Sequence, residues 1–289
     1  MRNTIAVMNT KGGVGKSTLV LAMAETLSAK FAKNVLVIDA DAQASVSLML
    51  MSPGNLHRLQ SDGVTIVDLL VASVLKNVTV DWHRFVVGGV SDVHESRTVF
   101  LIPSDMQLTL FEREVSKEQA LVQLRASVAS LLESVRGIFD IILIDCPPGL
   151  SVLTESWLRE ADFHISPVIP DHISIYALEV LGHFKVRNPE MGFAENLGVL
   201  INMKEMESAA DAAHERRLRD NPDNRCFPEA VPRTHALQHA TQFSTVERPY
   251  DNKYPGQSGT VLRAVCQELL NRVAAANAAS TASSVPMAG

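Results

Sequence analysis

NTKGGVGKST, residues 9–18, follows directly on a short apolar run from Thr4 to Met8. A glycine-rich turn between a first strand and a helix aims backbone N–H groups and the positive end of the helix dipole at an anion. Gly12, Gly13 and Gly15 let the backbone close around phosphate. Lys16 can then reach the β and γ oxygens of a nucleotide, the Ser17 hydroxyl can bind Mg²⁺, and Thr18 can donate to a phosphate oxygen. The strict pattern GxxxxGK[ST] is not met, because its first glycine falls at Thr10. One lysine suffices to hold a phosphate, so Lys11 is the residue to explain. It begins the loop and need not bind the phosphate its own loop encloses; if two copies face each other across two nucleotides, it can reach the neighbour's phosphates. The alternative is an ordinary glycine turn capping a helix with Lys11 solvated, against which GKST between strand and helix argues.

Outward from this loop, short Val- and Ile-rich runs recur at Ile5 to Met8, Val35 to Ile38, Val99 to Ile102, Ile141 to Ile144, Phe163 to Ile169 and Leu197 to Ile201. They are apolar on successive residues, as strands buried on both faces of a parallel sheet are. Between them Leu121, Leu124, Val128, Leu131, Leu132 and Val135 recur at helical spacing, as do Ile173, Ala177, Val180, Leu181 and Phe184. The alternation predicts a single α/β domain over residues 1–275, a mostly parallel central sheet with helices on both faces. Residues 52–98, interrupted by Gly54, Gly63, Gly88 and Gly89, read as a less regular elaboration at the sheet edge. The uncharged Ala- and Ser-rich end, residues 276–289, reads as a disordered tail.

Two of these strands end in carboxylates. Val35 to Ile38 runs into Asp39 and Asp41, whose spacing of two puts both side chains on one face if the strand continues, and Ile141 to Ile144 runs into Asp145. In a parallel α/β sheet such C-terminal strand ends collect beside the phosphate loop. Helix capping is the competing use of an aspartate; three at strand ends around one loop point instead to a metal and a reacting phosphate.

Composition narrows the partners. With 289 residues, 46% of them hydrophobic, the chain can bury a substantial core, and a formal net charge of -6 means that any nucleic-acid contact must come from a local basic patch. Cys146, Cys226 and Cys266 lie far apart with no CxxC spacing, which suggests neither a disulfide framework nor a zinc site and fits a reduced cytosol. No signal-peptide pattern and no run of about 20 apolar residues is present, so a soluble cytoplasmic protein is expected.

KGGVGKST resembles the deviant Walker A motif of the ParA/MinD family of P-loop ATPases, in which the early lysine acts in trans within a nucleotide-sandwiched dimer. Val37 to Gln43 and Asp145 to Pro148 are similar to that family's VDxDPQ and DxPP signatures, with Ala42 where a proline is usual. Leu101 to Ser104, Pro167 to Asp171, Gly198 to Asn202 and Val231 to Arg233 look like further landmarks in the expected order. The resemblance implies a P-loop NTPase-like fold and an ATPase using ATP and Mg²⁺. Lys16 would serve its own nucleotide and Lys11 its partner's. Asp41 would orient or activate the attacking water, Asp39 would support the Mg²⁺ shell and Asp145 would hold the ion through water. Val14 within the loop, Asn202 and Pro232 would complete the nucleotide site, Asn202 touching adenine.

The short ParA type that the chain resembles implies a homodimer that binds double-stranded DNA non-specifically in its ATP state, on the nucleoid, and is reset by a ParB-like activator or cargo adaptor. Its weak ATPase would segregate plasmid or chromosome DNA or position a protein cargo. Candidate DNA contacts are Arg216, Arg217, Arg219, Arg233, Arg248 and Arg263. Glu215 and Asp220 flank the first three, so a solvated helix face is the other reading of that group. A MinD-like membrane switch needs a terminal helix with basic and bulky apolar faces; after Arg272 the chain has no basic residue. The end of the chain also lacks the tyrosines of a related kinase, and the sequence lacks the paired cluster cysteines of a nitrogenase-reductase relative; HERRL at His214 lacks the second histidine of HExxH.

Overall fold

The computed structural model describes residues 2–116 and 118–283, with the side chains of residues 118, 119, 282 and 283 outside that description. The strands are β1 (Thr4–Val7), β2 (Val35–Asp39), β3 (Val87–Gly88), β4 (Val99–Ile102), β5 (Ile141–Asp145), β6 (Phe163–Val168) and β7 (Glu195–Ile201). The α-helices are α1 (Lys16–Phe31), α2 (Ser45–Leu50), α3 (Pro53–Ser61), α4 (Ile66–Leu70), α5 (Leu108–Val115), α6 (Glu118–Arg136), α7 (Val152–Glu160), α8 (His172–Arg187), α9 (Ala209–Asp220), α10 (His235–Ala240), α11 (Tyr250–Lys253) and α12 (Gln257–Ser283).

The sheet order is β3-β4-β2-β5-β1-β6-β7, parallel throughout except for β3, which pairs antiparallel with β4 at one edge. Each central strand is buried on both faces because its alternate residues enter different cores. Ile5, Val7, Val35, Val37, Ile141 and Leu143 pack with α1 and α12, whereas Ala6, Met8, Leu36, Ile38, Ile142 and Ile144 pack with α4 to α7. That two-sided burial is why the strands read as unbroken apolar runs. On β7 the register shifts at Gly198, so Val199 and Ile201 join Val168, Ile175 and Leu218 in a smaller core beneath α8 and α9.

Residues 52–98 contain α3, α4, a π-helical turn at Val71–Leu75, a 3₁₀ turn at Trp82–Phe85 and the edge strand β3. α4 begins in a reciprocal cap between Thr65 and Asp68, a turn chemistry the glycine spacing does not reveal.

The C-terminal expectation needs correction. α12 continues through Ser283, so the disordered tail predicted over residues 276–289 is helix as far as 283, and residues 284–289 lie outside the described residues. Alanine is the strongest helix former, and lack of charge does not by itself forbid a helix. The helix is also tied down: Arg2 N–H donates to Asn277 Oδ1 at 2.9 Å and Asn277 Nδ2 donates to the Arg2 carbonyl at 2.8 Å. Among the described residues no helix is long and apolar enough to cross a membrane.

Candidate functional site

The 9–18 loop joins β1 to α1 at the C-terminal edge of the sheet. Asn9 shapes its start by donating to the Pro167 carbonyl at 2.6 Å and accepting from the Lys11 N–H at 2.8 Å. Gly13 and Gly15 adopt φ values of 76° and 81°, a left-handed conformation that favours glycine. A Cβ at Gly15 would lie 2.5 Å from Asn202 Nδ2, so this position excludes a side chain on space as well as on backbone. α1 starts with no side-chain cap and no acidic residue in its first turn, leaving its N–H groups and dipole for an anion. Lys16, only 7% exposed, stands in that first turn. Burial lowers its pKa, and Asp145 and Asp41 oppose that effect.

Parallel pairing aligns Asp39 with Asp145 and Val7 with Asp145, so β1, β2 and β5 deliver the loop and the carboxylates to one place. Asp39 is completely buried and well partnered: Oδ2 accepts from Ser47 N–H at 2.9 Å and Oγ at 2.6 Å, and Oδ1 accepts from Asp41 N–H at 3.2 Å. Burial nevertheless pushes its pKa up to about 7. Asp41 Oδ1 accepts from Gln43 N–H at 2.9 Å, closing the turn that precedes α2. Asp145 differs. It is fully buried, the Ser17 hydroxyl faces it, and neither of its oxygens has a hydrogen-bond partner of good geometry. Burial first, then the neighbouring Asp39, raises its pKa well above the usual carboxylate range.

Such an orphaned carboxylate beside a buried lysine and an uncapped helix is what a Mg²⁺-nucleotide site requires. Among the described residues no group of three or more His, Cys, Asp or Glu side chains could hold a metal. Mg²⁺ needs none, since it is commonly held by one or two protein oxygens together with water and substrate phosphates. Ser17 and Asp145 fit that role. Asp39 is spent on Ser47 and Asp41, so it shapes the turn rather than offering a free oxygen.

Lys11 is docked within its own chain. Its ammonium donates to Asp171 Oδ2 and Ser174 Oγ, both at 2.9 Å, at the N-terminus of α8. Asp171 also caps that helix by accepting from Ser174 N–H at 2.7 Å. Although partial burial works the other way, the Lys11 and Ser174 hydrogen bonds hold its carboxyl below the usual range. Neither partner of Lys11 is evident from the loop; the D-x-x-S cap is the one sequence signal that points to them.

On the far side of α1, Asn202 Nδ2 donates to the Val14 carbonyl at 2.8 Å, so it braces the loop. Asn202 also lines a cavity of about 210 Å³ with Thr18, Leu19, Pro232, Arg233 and Leu237, adjacent to the loop. Gly12 and Gly13 are exposed, whereas Val14 is buried and fixes the loop from below.

The six arginines separate by what they already hold. Arg248 pairs with the buried Asp92 at 2.8 Å, and Arg219 pairs with Glu215 and donates to the Phe227 and Pro228 carbonyls. Both are committed to internal contacts. Arg217 pairs with Glu179 at 2.7 Å, and Arg233 lies 3.6 Å from Glu205. Arg216 and Arg263 are exposed, and Arg263 donates to the Thr260 hydroxyl of its own helix.

Residues 2–188 match the model of the AAA_31 family, described as AAA domain. The chain is 26% identical over 278 residues to the chromosome-partitioning ATPase Soj of Thermus thermophilus, covering 93% of this chain and 96% of the relative. It is 26% identical over 264 residues to the chromosome partitioning protein ParA of Caulobacter vibrioides, covering 87% and 88%. Among solved structures, an ATP complex of a McdA variant from Cyanothece superposes with a TM-score of 0.72 over 93% of this chain and 96% of that one, at 20% identity, a likeness of fold.

Proposed function

From a chain that belongs to the AAA_31 family and is a ParA-type P-loop ATPase, we propose a positioning ATPase that dimerises around two MgATP and binds DNA non-specifically. The observation that carries the nucleotide reading is Asp145, fully buried beside Lys16 and Ser17 with neither oxygen in a well-formed hydrogen bond. The partitioning role rests on the similarity to the partition proteins Soj and ParA.

Bound at this site, Mg²⁺ would neutralise charge that develops on the phosphates during transfer. Ser17 and Asp145 would hold the ion. Lys16 and the α1 N–H groups bind the β and γ oxygens, while Asp41 at the end of the β2 turn orients the attacking water. Thr18 donates to a phosphate oxygen, and Asn202 and Pro232, which line the adjacent cavity, hold the base end of ATP. Phosphoryl transfer depends mainly on positioning and charge, both of which these groups supply.

Lys11 makes the reaction conditional on a second copy. Its present partners occupy the start of α8, whose residues Ile173, Tyr176 and Val180 form an exposed apolar stripe at helical spacing. A second copy covering that stripe would draw Lys11 from Asp171 to the partner's triphosphate, where the negative charge is greater. Light scattering with MgATP tests this. Lys11→Ala should bind ATP within about threefold of the parent and stay monomeric, and ATP-driven dimerisation of that variant at the parent's concentration would overturn the trans role.

For DNA, Arg216, Arg233 and Arg263 are the contacts, with Arg217 joining if it leaves Glu179. A dimer doubles the phosphates neutralised, so ATP switches binding on without a new contact inside one subunit, and hydrolysis reverses it. Affinity for a random duplex should appear with MgATP, fall steeply with salt, and weaken in Arg216→Ala. A ParB-like protein or cargo adaptor would stimulate hydrolysis, and the protein would act in the cytoplasm on the nucleoid. Neighbouring genes identify the cargo.

A further inference from the structure

A second, separate cavity of about 670 Å³ opens between α8 and α9 above β6 and β7. Its floor breaks the pattern of the sheet. Away from their ends β1, β2 and β5 are apolar on both faces, but the face of β6 beneath α8 carries His164 and Ser166, 3% and 2% exposed. Among the described residues the Ser166 hydroxyl has no hydrogen-bond partner. His164 Nδ1 lies 2.9 Å from the Ala194 carbonyl, which fixes the proton on Nδ1 and leaves Nε2 as an acceptor. Burial first, then Lys185, lowers the pKa of His164 to about 3, so the ring is neutral.

Lys185 also lines the cavity, half-buried, with its pKa lowered to about 8 by burial. Its ammonium reaches His164 Nε2 at 3.4 Å and the Ala194 carbonyl at 3.5 Å, both long, and no carboxylate among the described residues pairs with it. A half-buried cation without a counter-charge among the described residues and a buried, unpartnered hydroxyl thus share one cavity. Buried groups of this kind are normally satisfied. The remaining wall is mixed: Ile175, Leu181, Val199 and Leu218 form a buried aliphatic side, and His183, Asn196, Asn221 and Asn224 add polar groups to the lining. At the rim stand Asp220, Asp223 and Glu179, the last already paired with Arg217.

We propose that this cavity is a ligand site for a small organic monocarboxylate with a short apolar tail. The carboxylate pairs with the Lys185 ammonium and accepts from Ser166 Oγ, and the tail lies against the aliphatic wall. His164 positions Lys185 by accepting from it. The acidic rim disfavours polyanions, which sets the site apart from the phosphate loop. A cavity of this size is ordinary for a small ligand.

The test is calorimetric titration of the full chain with acetate, butyrate, hexanoate and octanoate, with hexanol and inorganic phosphate as comparators. Saturable binding that tightens with chain length is expected, with hexanol at least tenfold weaker than hexanoate and phosphate weaker still. Lys185→Met should weaken hexanoate at least tenfold and Ser166→Ala severalfold. Circular dichroism confirms folding, and Ser166→Leu, which fills the cavity, should block hexanoate. Lys16→Ala should leave hexanoate binding intact, so loss of the nucleotide reading and loss of this one are distinguishable. Absence of saturable binding by every acid, equal binding to Lys185→Met, or tighter binding of phosphate than hexanoate would overturn the proposal.

Discussion

Two buried charged clusters sit on the same helix and are finished differently. Near the middle of α1, Glu25 meets Lys253 at 2.8 Å, Tyr254 OH at 2.6 Å and Ser91 Oγ at 2.7 Å. Asp92 meets the same lysine at 2.6 Å, and its other oxygen accepts from Arg248 and from the Ser244 N–H, both at 2.8 Å. Two anions face two cations, and all four carboxylate oxygens are engaged. About 13 Å along the axis, Lys16 faces Asp41 and Asp145, and Asp39 lies beside Asp145, so that one cation meets three acids, and neither Asp145 oxygen is hydrogen-bonded with good geometry. The first cluster is closed and ties α1 to α11 and to the 91–96 turn. The second is left open, and its deficit of positive charge matches what a metal and a lysine from a second copy would bring.

The largest test of that contrast is Lys253→Met, which leaves Glu25 and Asp92 buried without their shared cation. Breaking a buried pair in this way costs about 3–5 kcal/mol. Urea unfolding should show the loss, and a change below about 1 kcal/mol would mean that the closed cluster does not hold α1 in place. Next is Lys16→Ala in the open cluster, expected to weaken ATP binding by about 100-fold, or roughly 2.7 kcal/mol, with little loss of stability without nucleotide. Calorimetry and urea unfolding check the two halves.

Asp145→Asn should separate stability from function most clearly. Because the carboxyl makes no well-formed hydrogen bond in the free protein, its replacement should keep stability or raise it by up to about 1 kcal/mol, while MgATP hydrolysis falls by about 100-fold or more. A destabilised variant would show that the site is satisfied in some other way. The smallest effect is a slope. Asp39 is raised in the folded state to about 7 from an ordinary 3.8, so the folded form binds its proton more tightly than the unfolded form. Its stabilising contribution is complete below pH 3.8 and lost as pH rises through about 7. Urea unfolding across that window should fall with pH in the ligand-free protein, and Asp39→Asn should flatten the decline.

Much of this was legible beforehand for reasons tied to particular residues. The runs at 35–38, 99–102 and 141–144 lie within observed strands because strands buried on both faces must be apolar at every position. Asp39 and Asp145 stand where expected because parallel pairing brings both strand ends level. Residues 276–283 are helix rather than disordered, a distinction the sequence does not carry because uncharged Ala and Ser are shared by linkers and helices and the Arg2–Asn277 contact that fixes this end spans nearly the whole chain. The arginines were indistinguishable in the sequence for the same reason. Whether Arg248 meets solvent or Asp92 depends on a partner 156 residues away.

The sequence by itself determined the phosphate loop, the parallel sheet and the identity of the groups that converge on the site, because local spacing sets which strand ends in which side chain. Only the tertiary structure decided which charges are neutralised. It placed Lys11 on Asp171, closed Glu25 and Asp92 around Lys253, and left Asp145 and Lys185 without a counter-charge at hydrogen-bond distance. The physical reason is that the cost of a buried charge depends on what lies within a few ångströms of it, and those neighbours come from distant parts of the chain.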